Sequence, residues 1–133
     1  MTIMLSANGL AKLDNAHADL RKVVLRAAAI SDMDFTVLEV LRTVERQRQL
    51  VAKGASKTVK SRHLPHFSDG KSRAVDLAPT EDGKVSWSWP LYYKFAKIMK
   101  QAAVDVGVKI EWGGDWKTFK DGPHWQLPWA QYP

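Results

Sequence analysis

Apolar residues recur at three- and four-residue steps near the start of the chain, at Leu10, Leu13, Leu20, Val24, Ala27 and Ile30. Lys12, Asp19, Arg21, Lys22 and Arg26 fall largely on other faces. The pattern predicts one amphipathic helix, with Ser6 or Asn8 as its N-cap. Phe35–Leu41 is rich in β-favouring side chains and reads as a strand. A short helix is expected from Val44 to about Lys53, stopped by Gly54. Residues 55–73 carry Pro65, Gly70 and four serines among cations and read mostly as loop. Arg73–Ala78 has a strand pattern, closed by Pro79 and the turn Glu81-Asp82-Gly83-Lys84. The stripe Leu91, Phe95, Ile98, Ala102 and Val106 predicts a helix from about Pro90 to Val106, with Pro90 in its first turn and Gly107 as its stop. Val108–Trp112 and His124–Leu127 complete the set as strands. This order predicts an α+β fold, a small, mainly antiparallel sheet with helices packed on it.

Composition narrows the class. With 133 residues, 45% apolar and 26% charged, the chain suits one globular domain over residues 1–133. Cysteine is absent, so disulfides and thiolate metal sites are excluded, and any metal must be held by His, Asp or Glu. No apolar stretch approaches the roughly 20 residues of a bilayer span, and Met1–Leu10 lacks the pattern of a secretory leader. The expectation is a monomer without stable membrane insertion.

The net charge is +6, and its distribution matters more than its sum. Between Arg42 and Arg73 nine Lys/Arg face two acids, Glu45 and Asp69, while the rest is close to balanced. Such a segment suits attraction to an anionic polymer, or else forms a solvated helix face and loop. The chain carries no recognisable nucleic-acid motif, so nucleic acid is not the expected partner.

Four histidines are present: His17, His63, His66 and His124. His17 lies in the first helical stretch without a matching acid and reads as structural. Asp76 interrupts the apolar run Ala74-Val75-Asp76-Leu77-Ala78, and a buried carboxylate is costly unless a metal or a cation partners it. The cation alternatives are Arg42, Arg62 and Arg73. Two histidines and this carboxylate form an N,N,O set that suits Zn²⁺ and leaves a position open for water. Asp121, three residues before His124, has a place from which to act as base. Of the six tryptophans, Trp112 and Trp125 are expected to pack the sheet and Trp116 to reach a cleft.

Several stretches resemble a known family: Asp34-Phe35-Thr36-Val37, Leu41-Arg42-Thr43-Val44-Glu45-Arg46-Gln47, Gly54-Ala55-Ser56-Lys57-Thr58, Ser61-Arg62-His63-Leu64 and Ala74-Val75-Asp76-Leu77. Trp89-Pro90-Leu91-Tyr92-Tyr93 and the long block from Glu111-Trp112-Gly113-Gly114-Asp115 to Asp121-Gly122-Pro123-His124 extend the likeness over nearly the whole chain. The sequence is similar to the small VanY-like zinc peptidases, which include D-alanyl-D-alanine carboxypeptidases and L-alanyl-D-glutamate endopeptidases used as phage endolysins. The resemblance implies zinc ligands His63, Asp76 and His124, a catalytic acid/base Asp121, and an Arg42 that positions the substrate and polarises its carbonyl. The family pattern Ser-x-His-x-x-Gly-x-Ala-x-Asp is stretched here, since His63 and Asp76 stand thirteen positions apart. An insertion of about six residues within Pro65–Arg73 reconciles the two at little closure cost. His66 is the alternative first ligand.

The function implied is hydrolysis of the L-Ala–D-Glu bond of peptidoglycan stem peptides. Alternatives are a D-Ala-D-Ala carboxypeptidase on the same scaffold and a non-catalytic cell-wall-binding module. The expected setting is synthesis in a host cytoplasm without a signal peptide, then action on the periplasmic wall after the membrane is permeabilised.

Overall fold

In the computed structural model, which describes residues 3–56 and 60–133, the N-terminal apolar stripe folds as two helices instead of one. These are α1 (Ala7–Leu13) and α2 (Ala18–Ile30). The break has a tertiary cause. Ser72 donates its N–H to Asn15 O at 2.8 Å, and His17 donates its N–H to Ser72 O at 2.9 Å. A continuous helix would need those same backbone groups. Ser6 caps α1 by accepting from Gly9 N–H at 3.0 Å. His17 caps α2, its Nδ1 accepting from Asp19 N–H at 3.0 Å, so this histidine is structural as expected.

The remaining elements follow the predicted order with altered ends and one addition, a short strand at Lys84–Val85 that the pattern did not predict. β1 (Phe35–Glu39) leads to α3 (Val44–Ala52), capped by Thr43 and followed by Gly54 at φ +76°. The described residues of 55–73 are turn, bend and coil apart from a bridge of Ser72 to Ala16, while Lys57 and Thr58 lie outside the described residues. β2 (Ala74–Glu81) runs through Pro79 instead of stopping there. Thr80 N–H donates to Asp34 O at 3.0 Å, so Pro79 faces Phe35 without owing β1 a hydrogen bond. Asp82 and Gly83, at φ +52° and +78°, make a two-residue hairpin turn into β3 (Lys84–Val85). Positive φ at both positions matches the strand twist, which explains Gly at the second.

After α4 (Trp89–Val106), ended by Gly107 at φ +71°, the expected strand over Val108–Trp112 reduces to β4 (Glu111–Trp112). Its partner β5 (His124–Gln126) is also short, at three residues. Leu127 gives its N–H to Arg73 O at 2.9 Å and Pro128 has none to give, so the ladder ends. The sheet order is β1-β2-β5-β4, with β3 paired to β2, and the named pairings are antiparallel. The result is the α+β architecture anticipated.

A single apolar cluster joins α2 and α4 to the sheet. It includes Leu20, Val24 and Ala27 from α2, Phe95 and Met99 from α4, and Val75, Leu77 and Trp125 from the strands. Phe35 and Phe95 rings meet at 4.6 Å, and Trp112 stacks on Trp125 at 5.6 Å, as anticipated for those two indoles. Along β2 and β5 alternation does the rest: Val75, Leu77 and Trp125 face this cluster, and Asp76 and His124 face away from it. Phe95→Ala is expected to cost about 3–5 kcal/mol through transfer and cavity effects. Urea unfolding checks this as a lowered midpoint with an unchanged slope.

Candidate metal centre and its cleft

Antiparallel register sets the first contact. Asp76 of β2 and His124 of β5 are direct cross-strand partners, so their side chains share one face. His124 Nδ1 lies 3.4 Å from Asp76 Oδ1. His63 arrives from the loop before β2, and its Nε2 lies 3.1 Å from the same oxygen. One donor atom from each of the three residues falls within 4.8 Å of the others. His66 is elsewhere: it is half-buried, with Nδ1 on Ser68 Oγ at 2.7 Å and Nε2 on Pro133 O at 2.8 Å.

Hydrogen bonds on the far side of each ring fix which nitrogen faces the carboxylate. Val40 O can only accept, so His63 Nδ1 donates to it at 2.8 Å and Nε2 points inward. His124 Nε2 donates to Gln126 Oε1 at 2.7 Å, leaving Nδ1 inward. Gln126 is oriented in turn by Glu111, its Nε2 donating to Oε2 at 3.4 Å. Two imidazole nitrogens of set tautomer and one carboxylate oxygen fit a divalent metal such as Zn²⁺, and such outer partners are what orient metal-bound histidines.

Arg42 sits beside this group and is mostly enclosed. Its Nε donates to Glu39, its Nη1 to Gln47 Oε1 at 2.7 Å, and its Nη2 stands 3.8 Å from Asp76 Oδ2. Its backbone N–H donates to His63 O at 2.9 Å, tying the two loops together. The cationic partner considered for Asp76 is therefore present together with the two histidines. Asp121 is placed by the tight turn before β5. Its N–H donates to Gly113 O at 3.1 Å, and a Cβ on Gly113 would stand 2.4 Å from Asp121 O. Only glycine permits that approach.

The two acids titrate in opposite directions. Burial alone would raise the Asp76 pKa, but hydrogen bonds from His124 and His63, and then their charges, hold it well below the usual carboxylate range. Asp121 moves upward, first through burial and then through the Asp76 charge, against the opposing pull of His124, His63 and Arg42. His124 is raised although burial opposes it, because Asp76 accepts its proton and adds its charge.

A model of the phage L-alanyl-D-glutamate peptidase family matches residues 1–126. The chain belongs to this family. An L-alanyl-D-glutamate peptidase of Escherichia phage T5 is 30% identical over 125 residues, covering 91% of this chain and 87% of that protein. One from Listeria phage A118 is 33% identical over 119 residues, 90% of this chain but 39% of its own length. The crystal structure of the Serratia marcescens L-Ala D-Glu endopeptidase ChiX superposes with a TM-score of 0.87 at 40% identity, covering 98% of this chain and 94% of that one.

In this member of the phage peptidase family, the His63–Asp76–His124 group opens into a cleft of about 530 Å³. Arg42, Asp121, Trp116 and Trp129 are among its walls, and the Trp116 ring lies 5.0 Å from that of His124. Trp116 is thus the cleft residue expected. Gln126, Gln47 and Trp129 were not singled out in the sequence. Gln126 was findable, because on a strand it shares a face with His124 two positions earlier. Gln47, which accepts from Arg42 and donates to Ser56 Oγ at 2.9 Å, left no such signal. The basic segment also divides: Arg42, Arg62 and Arg73 are largely enclosed and internally bonded, so they add less to a surface field than their number suggests. Among the described residues no helix is long and apolar enough to cross a membrane.

Proton competition at His124 has a measurable sign. A raised pKa keeps a proton on this imidazole at pH values where an ordinary one, near 6.5, is already free. A metal must displace that proton, so affinity is expected to keep rising as pH passes 6.5 and to fall below it. Titration against a chromophoric chelator over a pH series measures this. A plateau reached below 6.5 would contradict the assignment of His124 as a proton-competing ligand.

Proposed function

We propose that this chain is a zinc-dependent peptidoglycan hydrolase that cleaves the L-Ala–D-Glu bond of stem peptides, with His63, Asp76 and His124 holding the metal. The observation that carries the reading is the convergence of two tautomer-fixed imidazoles and one carboxylate at an open cleft that Asp121 also lines. The relatives named above as L-alanyl-D-glutamate peptidases support this bond over the D-Ala-D-Ala alternative. A bound Zn²⁺ would supply Lewis acidity toward the scissile carbonyl and acidify the attacking water.

The chain's own residues account for the remaining chemistry. Asp121, with its pKa raised by burial and by Asp76, is suited to take the proton of the water and deliver it to the leaving amine. Arg42 is fixed by Glu39 and Gln47 and directs Nη2 toward Asp76 and the cleft. There it balances the carboxylate and offers a donor to the substrate carbonyl. Trp116 closes one side against His124 and limits water around the reacting group. The site of action is the bacterial cell wall.

Asp121→Asn keeps the side-chain size and removes the basicity. Turnover on purified peptidoglycan is expected to fall roughly 10²-fold or more while stoichiometric zinc is retained. Undiminished turnover would remove Asp121 from the mechanism, and mass spectrometry of the released peptides identifies the cleaved bond.

The two candidate first ligands separate cleanly. His63→Ala is expected to lose zinc and activity together, whereas His66→Ala keeps the metal and most of the activity. Elemental analysis of both variants decides between them, and the reverse pattern would transfer the ligand role to His66. Exhaustive chelation of the parent protein should abolish hydrolysis, with added Zn²⁺ restoring it.

A further inference from the structure

One wall of the cleft has no part in the chemistry above. Trp129 lines the cleft with 53% of its surface exposed. Its ring nevertheless has a fixed seat, since the Arg62 guanidinium lies 4.0 Å from the centroid. Arg62 is itself buried. Its Nε and Nη2 donate to Leu127 O at 3.2 and 2.8 Å, and Nη2 also donates to Tyr132 O at 2.7 Å. Further along the tail, Tyr132 Oη donates to Asp19 at 2.7 Å and His66 Nε2 to Pro133 O at 2.8 Å. The segment that presents Trp129 is thus tied down on both sides of the indole. Because Arg62 precedes His63 by one peptide bond, this platform borders the candidate metal centre.

A large indole braced by a cation and open to a cleft suits stacking against a flat ligand face. The wall polymer offers one such face near the bond in question. The nitrogen of L-Ala is acylated by the lactyl group of an N-acetylated amino sugar, so a pyranose ring stands one residue from the L-Ala–D-Glu bond. On the other side the stem continues as D-Glu and a diamino acid, which are flexible, charged and without a ring. The C–H face of a pyranose carries partial positive charge and complements the negative face of an indole.

We propose that Trp129 forms a sugar-stacking subsite that receives the N-acetylmuramyl ring carrying the stem peptide. The proposal rests on the reading of this cleft as the site of L-Ala–D-Glu hydrolysis. Arg62 serves it as a positioning residue, holding the indole from beneath while its own donors are spent on the tail carbonyls. The enzyme then recognises glycan-linked stems in preference to free peptides.

Two substrates with the same peptide test this. One is an N-acetylmuramyl peptide, and the other is the peptide N-acetylated at L-Ala, which keeps the amide and lacks the sugar. The parent protein is expected to favour the muramyl peptide in kcat/KM by roughly 3- to 10-fold. Trp129→Ala should bring that ratio near one, and Trp129→Tyr should keep most of it. Trp87→Ala, at an exposed tryptophan outside the cleft lining, should keep all of it. Trp129→Leu retains bulk without a π face and gives the same reading if the alanine variant does not fold. A ratio near one in the parent protein, or one that survives loss of the indole, overturns the subsite. Both substrates hold the same L-Ala–D-Glu bond, so product masses report separately on the peptidase reading. Cleavage of neither substrate at that bond overturns that reading, whereas equal cleavage of both overturns only the subsite.

Discussion

The largely enclosed carboxylate of Asp76 is the constraint around which the rest is arranged. A lone charge in an apolar strand would cost several kcal/mol after relaxation. Here β2–β5 pairing sets His124 directly opposite, the preceding loop adds His63, and Arg42 approaches the second oxygen. Each partner is then held by something else: His63 by Val40 O, His124 by Gln126, Arg42 by Glu39 and Gln47. These contacts draw on β1, α3, β5 and the long loop, so the site and the sheet are hard to alter separately. β1 also shows a register shift between Val37 and Glu39, at its end beside Asp76, where such irregularities help re-aim a strand.

The long loop between α3 and β2 turns out to be more than an insertion passed over at low entropic cost. Its Ser72 pairs with Asn15 and His17 and so divides the N-terminal helix. Its Asp69 pairs with Arg73, and its Lys71 Nζ donates to Asp14 O at 2.7 Å. These ties fix the segment ahead of Ala74 and hold Arg62 and His63 in place from both sides, since Arg73 N–H donates to Arg62 O at 2.9 Å. That explains how His63 reaches Asp76 despite the longer spacing, and why His66, drawn outward to Pro133, does not.

Much of the fold was legible because periodicity and punctuation agreed. Gly54, Pro90 and Gly107 marked helix ends correctly, and Asp82-Gly83 marked the hairpin. The break in the first helix came from a distant segment: Ser72 took the backbone groups of Asn15 and His17, and such a pairing leaves no local pattern. The last strand is short for a local reason, since Leu127 still pairs in register with Arg73 and Pro128 has no N–H with which to continue. At the site, His63, Asp76, His124 and Asp121 are brought together as the motif implied, and Arg42 joins them. What escaped was the layer that orients them, chiefly Gln47 and Gln126, because a polar side chain used inside a hydrogen-bond network looks like any surface residue in a sequence.

The opposite shifts of Asp76 and Asp121 give the site its chemical direction. Both are carboxylates lining one cleft, yet Asp76 receives hydrogen bonds from two imidazoles and Asp121 faces the resulting negative charge across it. Pairs of acids driven apart in this way divide their labour: the depressed one stays ionised and binds, and the raised one exchanges a proton. A cation held by the three ligands would offset part of the Asp76 charge and so draw the Asp121 pKa back down. The Asp121 pKa is thus set by a balance between burial, which favours its protonated form, and a neighbouring charge whose strength would depend on whether a cation is held there. Moving Asp76 by one position along β2 would send it to the opposite face and remove both a candidate metal ligand and the source of that balance.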